Sequence, residues 1–222
     1  MIDFEPKYIT FDCYGTLTNF QMAETARQLY GDKLDAAKMN EFVEFFRGYR
    51  LDEVMGAWKP FREVVVNSIR RTCERTSVPF DEATALKFYE AVPTWGPHPD
   101  VPEGLSRLAT KYKLVILSNA DDSQIHSNVD KLGAPFHRVC TAQQAQAYKP
   151  LRKAFEYMFD QLDCNPEDVL HVSSSFRYDL MTAYDMGIKH KAFVNRNHEP
   201  LTPYYQVNEV KQLSQLAELL GV

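Results

Sequence analysis

A chain of 222 residues with 45% hydrophobic side chains can form one medium domain, or a core domain carrying a smaller insert, and bury most of its apolar surface. Its formal charge of -5 argues against nucleic acid and anionic membrane surfaces as partners, so an anionic substrate needs a local cationic pocket. Cys13, Cys73, Cys140 and Cys164 are scattered without a CxxC pair or zinc spacing; with no signal-like start at Met1–Lys7 and no membrane-length apolar run, they read as buried thiols of a cytoplasmic protein.

Taken in chain order, Tyr8–Phe11 is a short β-prone run that stops at Asp12-Cys13-Tyr14-Gly15-Thr16. From about Gln21 to Ala91 the periodicity is helical, with Phe42, Phe45, Phe46 and Tyr49 on one stripe and Trp58, Phe61, Val65 and Ile69 on another. Pro93 to Pro99 breaks the pattern and reads as a hinge. Strands and helices then alternate: a helix over Val101–Tyr112, a strand at Lys113–Leu117, a helix over Asp122–Leu132 and a strand at His137–Cys140. A helix over Leu151–Leu162 leads to a strand at Val169–Val172, a helix over Asp179–Met186, a strand at Lys191–Val194 and a closing helix over Lys211–Leu220. This alternation predicts an α/β fold with a Rossmann-like parallel sheet and right-handed crossovers. The expected domains are a catalytic core from residues 1–19 and 93–222 and an inserted helical cap over residues 20–92.

Four segments stand at predicted C-terminal strand ends, which converge on one crevice in an open parallel sheet. They are Asp12–Thr16, Ser118-Asn119, Lys149-Pro150 and Ser173–Asp179. Together they bring a carboxylate, hydroxyls, an ammonium and a second carboxylate to one place, a set suited to nucleophilic displacement by an ionised aspartate.

These segments resemble the four motifs of the haloacid dehalogenase superfamily. Phe11–Leu17 matches the first, Leu117-Ser118-Asn119 the second, Tyr148-Lys149-Pro150 the third and Val172–Asp179 the fourth, with a helical cap after the first. The superfamily's phosphatases place a second aspartate two residues after the nucleophile, where this chain has Tyr14, and Ser173-Ser174-Ser175 stands where a Gly-Asp-Ser triplet is usual. Magnesium favours several carboxylate and water oxygens in octahedral array, so Asp12 and Asp179 beside Lys149 make a poor site, and neither metal nor cofactor is expected.

Tyrosine at that position is a feature of the metal-free L-2-haloacid dehalogenases, and Phe46–Leu51 is similar to the cap segment whose arginine receives the departing halide. The resemblance implies Asp12 as nucleophile, Arg47 and Asn119 around the halide, and Ser118 with Lys149 on the carboxylate of a small anionic acid. It implies Cys13 and Tyr14 beside the substrate, and Thr16 with Ser174 or Ser175 positioning the Asp12 carboxylate and the water. Lys149 is expected to keep Asp12 ionised and Asp179 to support catalysis, and a homodimer is implied because related dehalogenases are often dimers. Two departures are Phe155, where these enzymes commonly have tyrosine, and a fourth motif of different spacing before Asp179. Two alternatives stay open: a metal-free ring-opening hydrolase of the azetidine-2-carboxylate type, and a catalytically weakened binding protein. Simpler roles also compete, with Asp12 as a turn residue, Ser118-Asn119 as a helix cap and Arg47 or Arg50 as exposed charge. The six histidines show no ligand spacing and no Gly-x-Ser-x-Gly elbow accompanies them.

Overall fold

The computed structural model describes residues 4–222. Strand β1 (Tyr8–Phe11) is followed by four helices, α1 (Met22–Tyr30), α2 (Ala36–Met55), α3 (Phe61–Thr76) and α4 (Glu82–Ala91). Then come α5 (Val101–Ala109), β2 (Lys113–Ser118), α6 (Asp122–Val129), β3 (Arg138–Thr141), α7 (Ala142–Ala145) and α8 (Arg152–Leu162). The chain closes with β4 (Val169–Ser173), α9 (Met181–Asp185), β5 (His190–Val194), β6 (Asn208–Val210) and α10 (Leu213–Leu219). It divides into a sheet unit, residues up to Asn19 together with Gly96–Val222, and a helical unit, Phe20–Trp95.

The sheet has six strands in the order β3-β2-β1-β4-β5-β6, all paired in parallel. Parallel strands are covered on both faces by their crossover helices, so their sequences run almost continuously apolar. On one face Ile9, Phe11, Ile116, Leu170 and Val172 pack with Val101, Leu105 and Leu108 of α5 and Leu213 and Leu216 of α10. On the other, Val115 and Leu117 meet Phe155, Met158, Phe159 and Leu162 of α8. This sandwich makes β1 the centre of the sheet and fixes the end of β1 where Asp12 begins.

The helical unit is built on aromatic packing. Tyr30 lies against Phe42 at 4.8 Å and Phe46 meets Phe88 edge-on at 5.2 Å between ring centroids. Asp35 and Asp81 start α2 and α4 by accepting the Lys38 and Thr84 N–H groups. Among the described residues no helix is long and apolar enough to cross a membrane.

Beyond the short helix α7, which no periodicity announced, two further elements differ from expectation. β6 is a three-residue edge strand whose Asn208 and Glu209 are exposed, so no apolar run announced it. The helix expected from Asp179 begins earlier as a π-helical turn, Phe176–Leu180, where the Ser175 side chain accepts the Tyr178 N–H and the Leu180 N–H reaches back to the Ser175 carbonyl at 3.1 Å. A π-turn takes up one residue more than an α-turn, which accommodates the altered spacing of the fourth motif.

The seam between α5 and α10 is closed at Gly104, where a Cβ would stand 2.3 Å from Leu213 Cβ and 2.8 Å from the Leu213 backbone carbon. In an open helix Gly→Ala stabilises by about 1 kcal/mol, but forcing a methyl against backbone costs about 1–3 kcal/mol, so clash dominates. Gly104→Ala is expected to lower the urea midpoint without changing the slope; an unchanged or higher midpoint contradicts this packing.

Candidate active site

Asp12 follows directly on β1, and its N–H still pairs with the Val172 carbonyl of β4 at 3.0 Å, so the sheet ladder aims the residue. The chain then turns: Leu17 and Thr18 N–H groups return to the Cys13 carbonyl at 2.9 Å each, and Gly15 takes φ of 95°, a conformation open to glycine and strained for other residues. The turn folds Thr16 back so that its hydroxyl donates to Asp12 Oδ2 at 2.6 Å, while the Ser174 N–H donates to Thr16 Oγ1 at 2.8 Å. Ser174 Oγ lies 3.1 Å from the same oxygen. Behind the turn the Arg196 guanidinium, paired with Asp100 at 2.7 and 3.1 Å, donates to the Thr16 carbonyl.

Lys149 enters from the segment after α7, and Asn119 grips its backbone from both sides. The Lys149 N–H donates to Asn119 Oδ1 at 2.7 Å and Asn119 Nδ2 donates to the Lys149 carbonyl at 2.8 Å. The ammonium then donates to Asp12 Oδ1, Asp179 Oδ1 and the Leu117 carbonyl, each at 2.8 Å. All three of its protons are engaged. Asp179 arrives from the π-helical turn and also accepts from His171 Nε2 at 3.0 Å, and His171 Nδ1 sits 2.8 Å from Thr10 Oγ1.

Burial sets the electrostatics. Lys149 is 1% and Asp179 0% exposed, while Asp12 keeps 7%. Burial raises the Asp12 pKa above the usual carboxylate value; Lys149 and Thr16 pull it down, but the Asp179 charge adds to the rise. Lys149 acts on Asp12 in the expected direction, favouring the charged form, while burial pulls the other way and sets the net direction. For Asp179 burial also raises, yet Lys149 and His171 together overcome it and the pKa is lowered. Burial works against the Lys149 charge, and the two carboxylates more than restore it, leaving its pKa raised.

The structure thus brings Asp12, Thr16, Lys149, Asp179 and Ser174 into one connected group, with Asn119 holding Lys149 and Ser118 next to it in sequence. Ser118 Oγ is buried and makes no hydrogen bond among the described residues, and the same holds for Asp179 Oδ2. Other predicted site residues are engaged elsewhere. Cys13 is fully buried in the core with its Sγ 3.5 Å from Thr18 Oγ1, and burial pushes its thiol up to about 12. The Tyr14 hydroxyl donates to Asn128 Oδ1 at 3.0 Å, and the Ser175 hydroxyl donates to Glu199 Oε1 at 2.8 Å. Arg47 belongs to the helical unit, where it is 37% exposed and lies 3.9 Å from Glu44, whereas Arg50 stacks on Phe46 at 4.5 Å and Phe20 at 5.0 Å.

Sequence reasoning missed His171, Arg196 and Glu199. A histidine inside an otherwise apolar strand is a signal that could have found the first. Glu199 accepts the Phe176 and Arg177 N–H groups at 2.8 and 3.3 Å, and nothing in the sequence marks such a distant cap. Lys149 already stands against both carboxylates, and no cluster of three or more His, Cys, Asp or Glu placed to hold a metal occurs among the described residues.

Residues 6–187 match the family model described as a haloacid dehalogenase-like hydrolase. The chain belongs to this family. It is 29% identical over 85% of both chains to haloacetate dehalogenase H-2 of Moraxella sp. (strain B), and 26% identical to (S)-2-haloacid dehalogenase H-109 of Pseudomonas putida over 93% of this chain and 95% of that one. Its fold superposes on an L-2-haloacid dehalogenase from Xanthobacter autotrophicus with chloropropionic acid covalently bound, at a TM-score of 0.78 and 20% identity over 97% and 98% of the two chains. This haloacid dehalogenase-like hydrolase therefore carries the six-stranded parallel core of that group, with the Asp12 cluster at the end of its strands.

Removing the cation tests the electrostatics. In Lys149→Met, Asp12 and Asp179 lose the group that lowers both of their pKa values, so both folded values rise, that of Asp12 further above its unfolded value and that of Asp179 up from below its own. The variant is expected to lose about 3–5 kcal/mol at neutral pH, where the buried carboxylates must stay charged unpaired. The loss shrinks as pH falls and they take up protons. Urea unfolding at pH 7.5 and pH 5 reads this directly; a deficit that grows toward acid contradicts it.

Proposed function

We propose that this hydrolase displaces the halide of a small 2-haloalkanoic acid through an ester formed on Asp12. The observation that carries the reading is the Asp12 carboxylate at the end of the central strand, steadied by Thr16 on one oxygen and Lys149 on the other. Asp12 attacks C2 of the substrate, the carbon–halogen bond breaks and halide leaves with the electron pair. Water then adds to the side-chain carbonyl carbon of the ester, releasing the 2-hydroxy acid and a proton and restoring Asp12. The similarity to the haloacetate and (S)-2-haloacid dehalogenases supports the substrate class. Because Lys149 has its three protons engaged, the buried Ser118 hydroxyl is the donor we assign to the substrate carboxylate. The complete Asp12–Lys149–Asp179 group favours turnover over a binding-only role.

In this reading 2-chloropropionate is consumed in EDTA, and intact mass shows a transient adduct on Asp12. Asp12→Asn abolishes both, since an amide is a far poorer nucleophile. The reactive form is the ionised one, and burial raises its pKa, so kcat/KM falls as pH drops through that raised value. Full activity in folded Asp12→Asn, or reversible loss on chelation with good p-nitrophenyl phosphate turnover, overturns the proposal.

The role at the departing halide is assigned to Arg47 from the resemblance of Phe46–Leu51. Loss of one donor to a developing charge costs about a hundredfold in rate, so Arg47→Ala is expected to lower kcat to that extent while barely altering the melting temperature. Arg50→Ala, which strips a guanidinium from two aromatic rings, is expected to lower the melting temperature instead. The reverse pattern removes Arg47 from the reaction.

A further inference from the structure

β4 is buried along its whole length, and its sequence Val-Leu-His-Val-Ser places an imidazole among aliphatic side chains. Burying a polar ring is costly unless its nitrogens are bonded, and both are. In register, β1 presents Thr10 beside His171, and their side chains meet at 2.8 Å. On the far side Nε2 lies 3.0 Å from Asp179 Oδ1, and Phe155 closes over the ring edge-on at 5.4 Å. An ionised carboxylate only accepts, so Nε2 carries the hydrogen. The Thr10 hydroxyl can donate to a bare Nδ1 or accept from a protonated one, so the ring is held in either charge state.

The charges in this group do not balance. Asp12 and Asp179 share one ammonium, and each anion makes the other harder to form. The titratable groups facing His171 are Asp179, with Lys149 and Asp12 behind it, and Lys191, its register partner on β5. The Lys191 ammonium is spent on the Ile188 and Lys189 carbonyls at 2.6 and 3.3 Å. From β1, Tyr8 donates its hydroxyl to the Leu162 carbonyl. The imidazole N–H is thus the donor added to the carboxylate pair from within the sheet.

We infer that His171 is a positioning residue for the nucleophile: by donating to Asp179 Oδ1 it holds that carboxylate on Lys149 and stabilises the state in which Asp179 and Asp12 are both ionised. This rests on the proposed role of Asp12 as nucleophile, but the His171–Asp179 contact can be measured without turnover.

His171→Phe keeps a flat ring against Phe155 and removes both nitrogens, while His171→Gln keeps one donor. Loss of a hydrogen bond to a charged group predicts a fall of about tenfold or more in kcat for His171→Phe, with KM within about twofold. The acid limb of its kcat profile moves to higher pH, because the doubly ionised state loses its donor. His171→Gln returns part of both, and serves alone if His171→Phe does not fold. An acid limb in its wild-type place, with kcat within about twofold of wild type, overturns the inference, since a merely space-filling ring would give that result. A thermal-unfolding cycle of His171→Phe with Asp179→Asn is expected to show coupling between the two sites, and strict additivity overturns the inference whether or not any haloacid is turned over. Wild-type activity in Asp12→Asn would overturn the nucleophile assignment instead and leave that cycle to decide on His171.

Discussion

The site depends on one ammonium. Lys149 lies almost fully buried at the end of the sheet, where a lone charge would cost several kcal/mol, and it persists because each of its protons meets an oxygen. Those oxygens come from three separate segments: the Asp12 turn, the Leu117 carbonyl of β2 and the π-helical turn that carries Asp179. A fourth contact, the Asn119 amide, fixes the lysine backbone at both its N–H and its carbonyl. The ammonium therefore both neutralises and assembles, since no segment can shift without exposing a buried charge.

One cation serving two carboxylates leaves them unequal. Asp179 is fully enclosed and receives both Lys149 and His171, and its pKa is lowered; Asp12 keeps a little exposure and its pKa is raised by burial. The pair is thus divided into a steady anion and a carboxylate that is costlier to ionise. For the proposed attack on carbon, a carboxylate in a poorly solvated place loses less hydration, and the same desolvation that raises its pKa leaves its lone pairs less screened. Thr16 and Lys149 each take one direction on its oxygens, fixing the plane of the group without closing it off.

The fourth motif shows how such a site tolerates change. Its altered spacing coincides with the π-turn that carries Asp179, and Glu199 caps the start of that turn from a distant loop. The Ser174 N–H donates to Thr16, so the support of the Asp12 turn is unbroken. Loss of the Gly-Asp-Ser pattern thus alters the ligands available around Asp12 without dismantling its carboxylate–ammonium group.

Apolar runs ending in small polar clusters announced the parallel sheet, and the convergence of strand ends announced Asp12, Ser118, Asn119, Lys149 and Asp179, because strand period and crossover handedness are written locally. The sequence could not give the division of labour among them. That Asn119 holds the lysine backbone, that Ser175 turns to Glu199 and that Cys13 faces the core depend on side-chain directions set by turns of a few residues. His171 read as one unremarked histidine among six, since its meaning lies in Thr10 and Asp179, 161 and 8 residues away in sequence. The pKa order of Asp12 and Asp179 was equally hidden, because burial and the sharing of one ammonium are properties of three-dimensional neighbours and have no trace in residue spacing.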